Sequence, residues 1–203
     1  METKKIEISQ ENALKAYDNA SDEGKELLEN LFGKDLFVKK DITERIKTFE
    51  DACKELSRRA EDGDEKAAVL LADYESNADN IKIKETVVYM KLSILAYALN
   101  EGWEPRFTTD EYRYYPCFEL FTQEEIDKMS EEESGRVLGR SYHNANAFAG
   151  VAFSSTDNAS SFSHTYGGAR LCFFKRELAE YAGKQFLDLW ADFIWPESES
   201  EKK

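Results

Sequence analysis

Histidine, cysteine and proline are scarce in this chain, with two, three and three copies among 203 residues. The cysteines, Cys53, Cys117 and Cys172, are widely scattered with no C-x-x-C spacing, which argues against a disulfide framework and a cysteine-based zinc site. There is no H-x-x-x-H or D-x-D-x-D-G spacing, so no metal is predicted. Gly167-Gly168 lacks the G-x-x-x-x-G-K-[ST] context of a phosphate loop, and no cofactor is predicted either. No run approaches the roughly 18 apolar residues of a spanning helix. The opening METKKIEIS has no apolar signal-peptide core, so the expectation is a cytoplasmic protein with no membrane partner. Basic side chains are also in deficit: 27 Lys and Arg against 41 Asp and Glu give a formal charge of −14. Such a surface repels nucleic-acid phosphate, which disfavours direct DNA or RNA binding and suits a partner with a basic face.

What is present is enough to bury a core: 41% of residues are hydrophobic and 13% aromatic. In the first 40 residues, Leu27, Leu28, Leu31 and Phe32 recur at helical spacing, with Ser21 as a start signal and Gly33 as a stop. KIEIS (5–9) alternates like a short strand. Asp41 with Glu44 predicts a capping box, and Ile42, Ile46, Phe49, Cys53 and Leu56 then form one core-facing stripe. Asp64 opens a further helix. Val88, Leu92, Leu95 and Leu99 line another, closed by Gly102 as a left-handed cap with Trp103 folded back on it.

Beyond Pro105 the composition turns toward β structure. EYRYYPCFELF (111–121) alternates and carries Pro116, the mark of an edge strand or a bend. Thr122 with Glu125 and Ser130 with Glu133 predict short acidic helices. Stretches 144–155 and 161–174 are expected to form an antiparallel pair turning at Thr156 to Ala159. In the last helix, Leu178, Ala182, Phe186, Leu189 and Phe193 form one apolar line. The predicted fold class is α+β: N-terminal helices, a small antiparallel sheet in the second half, and a C-terminal helix packed on it. The predicted organisation is a helical element at 1–40, one α+β domain at 41–195 and a flexible tail at 196–203.

His143 and His164 flank the predicted strand pair. With Cys172 they are the candidates for nucleophilic chemistry, which requires base and thiol within hydrogen-bond reach. Structural placement of all three is the reading favoured here, since buried cysteine usually acts as a small hydrophobe. The sheet region also carries Tyr112, Tyr114, Tyr115, Tyr142 and Tyr166, a candidate face for contact with a protein.

Several phrases recur together: ENALKAYDNASDEGKELLENLFGKDLF, KDITERIKTFEDACKEL, YALNEGWEPRF with EYRYYPCFEL, FTQEEIDKMSEEE with GRVLGRS, and ARLCFFKRELAEYAGKQFLDLWADF. Together they resemble a family of small, uncharacterised proteins from gut Bacteroides-type phages and prophages. The resemblance implies a phage or mobile-element origin and brings no activity, cofactor or catalytic residue. The chain departs from it at Lys175, where a helix-capping serine is expected, and at Cys117, where an aromatic is. The expected function is that of a phage or prophage accessory protein, non-enzymatic and acidic, binding another protein in the host cytoplasm. The alternatives are a nucleic-acid-mimicking inhibitor of a host DNA-binding protein and a small hydrolase or transferase using the His/Cys set.

Overall fold

A computed structural model describes residues 8–38, 40–106, 108, 111–139, 148–160 and 169–194. The fold is α+β, with helices first, a three-stranded antiparallel sheet in the second half, and C-terminal helices packed on the sheet. The chain divides into two compact units, Met1–Asp41 and Ile42–Lys203.

In the first unit Ser9 caps α1 (Gln10–Asp18) and Ser21 caps α2 (Asp22–Phe32), each hydroxyl accepting from a first-turn amide. Gly33, at φ 87°, ends α2 as expected, and a 3₁₀ turn follows at Lys34–Phe37. Of the predicted KIEIS strand, residues 5–7 lie outside the described residues, and Ser9 serves as a cap.

The second unit opens with α3 (Ile42–Arg45), α4 (Phe49–Glu61), α5 (Glu65–Asn77) and α6 (Lys84–Leu99). The single helix predicted from Asp41 is broken at residues 46–48. Thr48 and Asp51 form a reciprocal capping box that starts α4 anew. The gap is held from the C-terminal helices: the Tyr181 hydroxyl donates to the Ile46 carbonyl (2.6 Å) and the Gln185 amide to that of Lys47 (3.0 Å). Ile42, Ile46 and Leu56 are buried and Phe49 and Cys53 pack against them, so the predicted stripe survives the break. Asp64 caps α5 and also binds Arg59 (3.0 Å) and the Tyr97 hydroxyl (3.0 Å), tying α4, α5 and α6 together.

At the end of α6 the Gly102 N–H reaches the Tyr97 carbonyl (3.1 Å) and the Glu101 N–H that of Ala98 (3.0 Å). Glu101 (φ 47°) and Gly102 (φ 81°) both take left-handed conformations, so the expected turn involves one residue more than the glycine. A side chain at Gly102 would collide with the Arg59 guanidinium.

The sheet has strand order β1 (Tyr112–Thr122), β3 (Phe148–Ser160), β2 (Leu138–Gly139). Between them lie α7 (Gln123–Asp127) and α8 (Glu131–Ser134), each opened by its predicted capping box. The predicted pairing of 144–155 with 161–174 is corrected here. β3 runs straight through the supposed turn at 156–159 and pairs with β1, Asp157 opposite Tyr115 and Asn158 opposite Tyr114. A long aromatic neighbour strand overrides the local turn preference of those polar residues.

β1 is an edge strand of this sheet, and Pro116 fits there for a specific reason. The Tyr114 N–H and C=O face Phe173, away from β3, and Pro116, two residues on, directs its missing donor to the same side. One residue later Ser154 is left as an extra residue in β3, a bulge that puts Phe153 rather than Ser154 opposite Phe118. These two rings meet edge to face at 6.2 Å, and Phe118 also lies 5.6 Å from Trp190.

Of the stretch expected as the second strand of that pair, 161–168 lie outside the described residues. Ala169–Leu171 is a 3₁₀ turn, and Phe173 alone bridges to Tyr114, with both backbone bonds at 2.9 Å. On its other side this segment meets a side chain from the helical half. The Asn100 amide donates to the Cys172 carbonyl (2.7 Å), and its oxygen accepts from the Phe174 N–H (3.1 Å). The final helix is two, α9 (Arg176–Gln185) and α10 (Leu187–Ile194), parted at Phe186 (φ −118°, ψ 36°). Leu178, Ala182 and Phe186 are buried as predicted. Past the break the buried positions shift to Trp190 and Ala191, leaving Leu189 and Phe193 half-buried. Lys175 makes no side-chain capping bond to α9. α9 lies across β1 and β3 at Gly183, where a methyl group would strike Phe153 and Pro116.

Asn100→Ala strips one buried and one half-buried backbone group of their partner at once, so a loss of about 2–4 kcal/mol is expected from denaturant unfolding. A loss under about 1 kcal/mol would show that the contact is dispensable.

Candidate functional site

The cysteine that sequence reading placed among the catalytic candidates sits behind the first half of β1. Arg113 and Tyr115, alternate residues on one face of that strand, are buried together with Cys172, and Trp103 packs on the cluster. Cys172 is 1% exposed. Burial pushes its thiol up to about 11, against the opposing pull of the Arg113 guanidinium and the Tyr115 hydroxyl. At neutral pH it therefore stays protonated, the opposite of the lowered value that makes a cysteine nucleophilic. Cys53, half-buried on α4, is likewise pushed up to about 11 by burial. His143 and His164 lie outside the described residues, as do Tyr142, Tyr166 and the tail 196–203. Among the described residues no group of three His, Cys, Asp or Glu side chains is placed to hold a metal ion. No helix among them is long and apolar enough to cross a membrane.

The three described tyrosines of the candidate contact face do not share a surface. Tyr112 is 57% exposed at the start of β1. Tyr114 turns toward the helices, packs on the main core and carries the Arg176 guanidinium 5.5 Å above its ring. Tyr115, 3% exposed, lies inside the Cys172 cluster and offers nothing to a partner. Beside this cluster an open depression runs along Trp103–Arg106 toward Glu111, whose carboxylate accepts from the Arg106 N–H (2.9 Å). Glu104, on its lining, is paired to Lys66.

In the first unit, α2 carries several exposed apolar side chains. There Tyr17 of α1 stacks on Phe37 (4.2 Å, 11°) and donates to Glu29 of α2 (2.6 Å). Phe37 meets Phe32 edge on at 6.4 Å. These contacts hold the Leu28, Glu29 and Phe32 side of α2 inward and turn the opposite side out. Leu27 is 59% and Leu31 66% exposed, Phe32 keeps 41% of its surface in water, and no residue of α2 is buried. The stripe expected to face a core therefore covers none. Its four apolar residues span an arc of roughly 140° at about 100° per residue, wider than one short neighbouring helix can cover.

By contrast, the exposed large apolar side chains among the described residues of the second unit do not share one helix face. Tyr112 and Phe148 stand at opposite ends of the β1–β3 pairing, while Val69 lies on α5, Ile83 precedes α6 and Ile194 ends α10. Single exposed apolar residues are ordinary surface. Leu27 and Leu31 were legible as apolar from their spacing. The missing signal was how few partners a unit of this length has to offer them.

Alkylation of the native protein at pH 8 should modify Cys172 at least about 100-fold more slowly than in the unfolded chain, as read by peptide mapping. Rapid stoichiometric labelling would restore it as a reactive thiol.

In comparisons with known proteins, no family model, curated protein or solved structure matches the chain.

Proposed function

We propose that this is an accessory protein of a phage or prophage, acting in the host cytoplasm without chemistry of its own by binding another protein through its first unit. The phage origin rests on the sequence phrases quoted above. The binding reading is carried by one observation: α2 holds Leu27 and Leu31 on a line one turn apart, both more than half exposed. Two leucines left in water forgo about 1.5–3 kcal/mol each that burial would return. A helical pair whose described residues include a single buried one, Ala13, has little core to spare for such a loss.

The other two readings draw less support. A buried, protonated Cys172 makes a poor nucleophile for a hydrolase or transferase. A nucleic-acid mimic needs an unbroken ridge of carboxylates, whereas Glu124 is paired with Lys128, Glu132 with Arg136 and Asp62 with Arg58.

The test is capture of partners by full-length protein from lysogenic or infected cells, comparing wild type with Leu27→Asp/Leu31→Asp and with Tyr112→Ala. A stoichiometric partner should be retained by wild type and Tyr112→Ala and fall more than about tenfold with the double variant. The thermal transition of the second unit should be unchanged. Equal recovery by all three would overturn the reading.

A further inference from the structure

Negative charge flanks the α2 stripe on one side, and that charge bears on the chemistry of the partner. Glu23 continues the line of Leu27 and Leu31 one turn toward the N-terminus. Glu26 sits beside it three residues on, and both are exposed. Neither carboxylate is held in an ion pair, unlike Glu29, which Tyr17 and Lys34 engage from the inner side. Beyond its first turn the backbone donors of α2 are engaged within its own helix. What the face offers a visitor is therefore a ridge of side chains rather than a strand edge, and another helix is the element whose grooves fit such a ridge.

We propose that the stripe receives a basic amphipathic helix of another protein, which lays its apolar face on Leu27 and Leu31 and sets lysines or arginines beside Glu23 and Glu26. This rests on the protein-binding reading and selects among its partners. A second copy of this chain is the disfavoured occupant: at a formal charge of −14 two copies repel, and Glu23 and Glu26 of each would be crowded against like charges. The same sign repels an anionic lipid surface.

The experiment uses the full chain, uniformly labelled with ¹⁵N, titrated with an 18-residue amphipathic helical peptide of leucine and lysine. Two control peptides accompany it: one with glutamate in place of lysine, and one with the same composition in scrambled order. The leucine–lysine peptide should shift the amides of α2 selectively, and its affinity should fall as salt rises. Leu27→Asp/Leu31→Asp should weaken it more than about tenfold, and Glu23→Gln/Glu26→Gln about three- to tenfold with a shallower salt dependence.

Several outcomes overturn the proposal. Equal affinity for all three peptides, or equal affinity of the variants, would mean diffuse attraction to an acidic protein. Concentration-dependent dimerisation abolished by Leu27→Asp/Leu31→Asp would assign the stripe to a second copy. Protection of the stripe in the free monomer would show that the chain itself covers it. If partner capture depends on Leu27 and Leu31 while the leucine–lysine peptide shows no selectivity, the partner chemistry fails and the protein-binding reading stands. If capture is equally indifferent to the stripe, both fail.

Discussion

The Asn100 carboxamide is bonded through both its nitrogen and its oxygen to a single short piece of backbone, Cys172 to Phe174, and the closure of the second unit depends on it. That segment is too irregular to be a strand, yet Leu171, Cys172 and Phe173 are all buried, so its polar groups must be satisfied without a ladder. Tyr114 supplies the bonds on one side and Asn100 supplies them on the other, as a side-chain imitation of a neighbouring strand. Because Asn100 ends α6 and Tyr114 belongs to β1, the same three residues join the helical half to the sheet. α9 then starts immediately beyond them and lies across the sheet.

The same arrangement buries Cys172: its carbonyl accepts from Asn100 and its side chain packs with Tyr115 and Trp103 in the manner of a small hydrophobe. Other polar side chains of the second unit serve the same end: Asp64 for three helices, and Tyr181 and Gln185 for the break before α4. The first unit is built differently, with a stacked Tyr17–Phe37 pair, a carboxylate–hydroxyl bond and apolar helix surface left facing water. The second unit turns most of its helix stripes onto a shared core and bonds these polar side chains within itself. The first leaves Leu27 and Leu31 of α2 exposed, and that contrast is why the contact face is proposed on α2.

Much of this was legible because it is local. The stripes of Ile42, Ile46 and Leu56 and of Leu92, Leu95 and Leu99, the boxes at Thr122 and Ser130, and the caps at Ser21 and Asp64 each depend on residues within a turn or two. The break at Thr48 was equally local but used aspartate where glutamate is the usual third partner. The sheet was not legible in the same way. Thr156 to Ala159 has the chemistry of a turn, and only pairing with a strand some 40 residues earlier keeps it extended. Asn100 reads as an ordinary residue after a helix, since its partners lie 72 and 74 positions away. Periodicity revealed that α2 has an apolar face, but periodicity carries no information on whether anything covers it. Tyr115 illustrates the converse: alternation put it on one face of β1, and only tertiary packing showed that face to be sealed.

Native-state hydrogen exchange resolved by residue is the most direct test. The account predicts that the Phe173 and Phe174 amides open only with the α6 core, at the same free energy as Leu95, and that α2 amides open separately and at much lower free energy. Exchange of Phe174 through a local opening, with α6 still protected, would contradict it: the clamp would then be an ornament on a unit closed by other means.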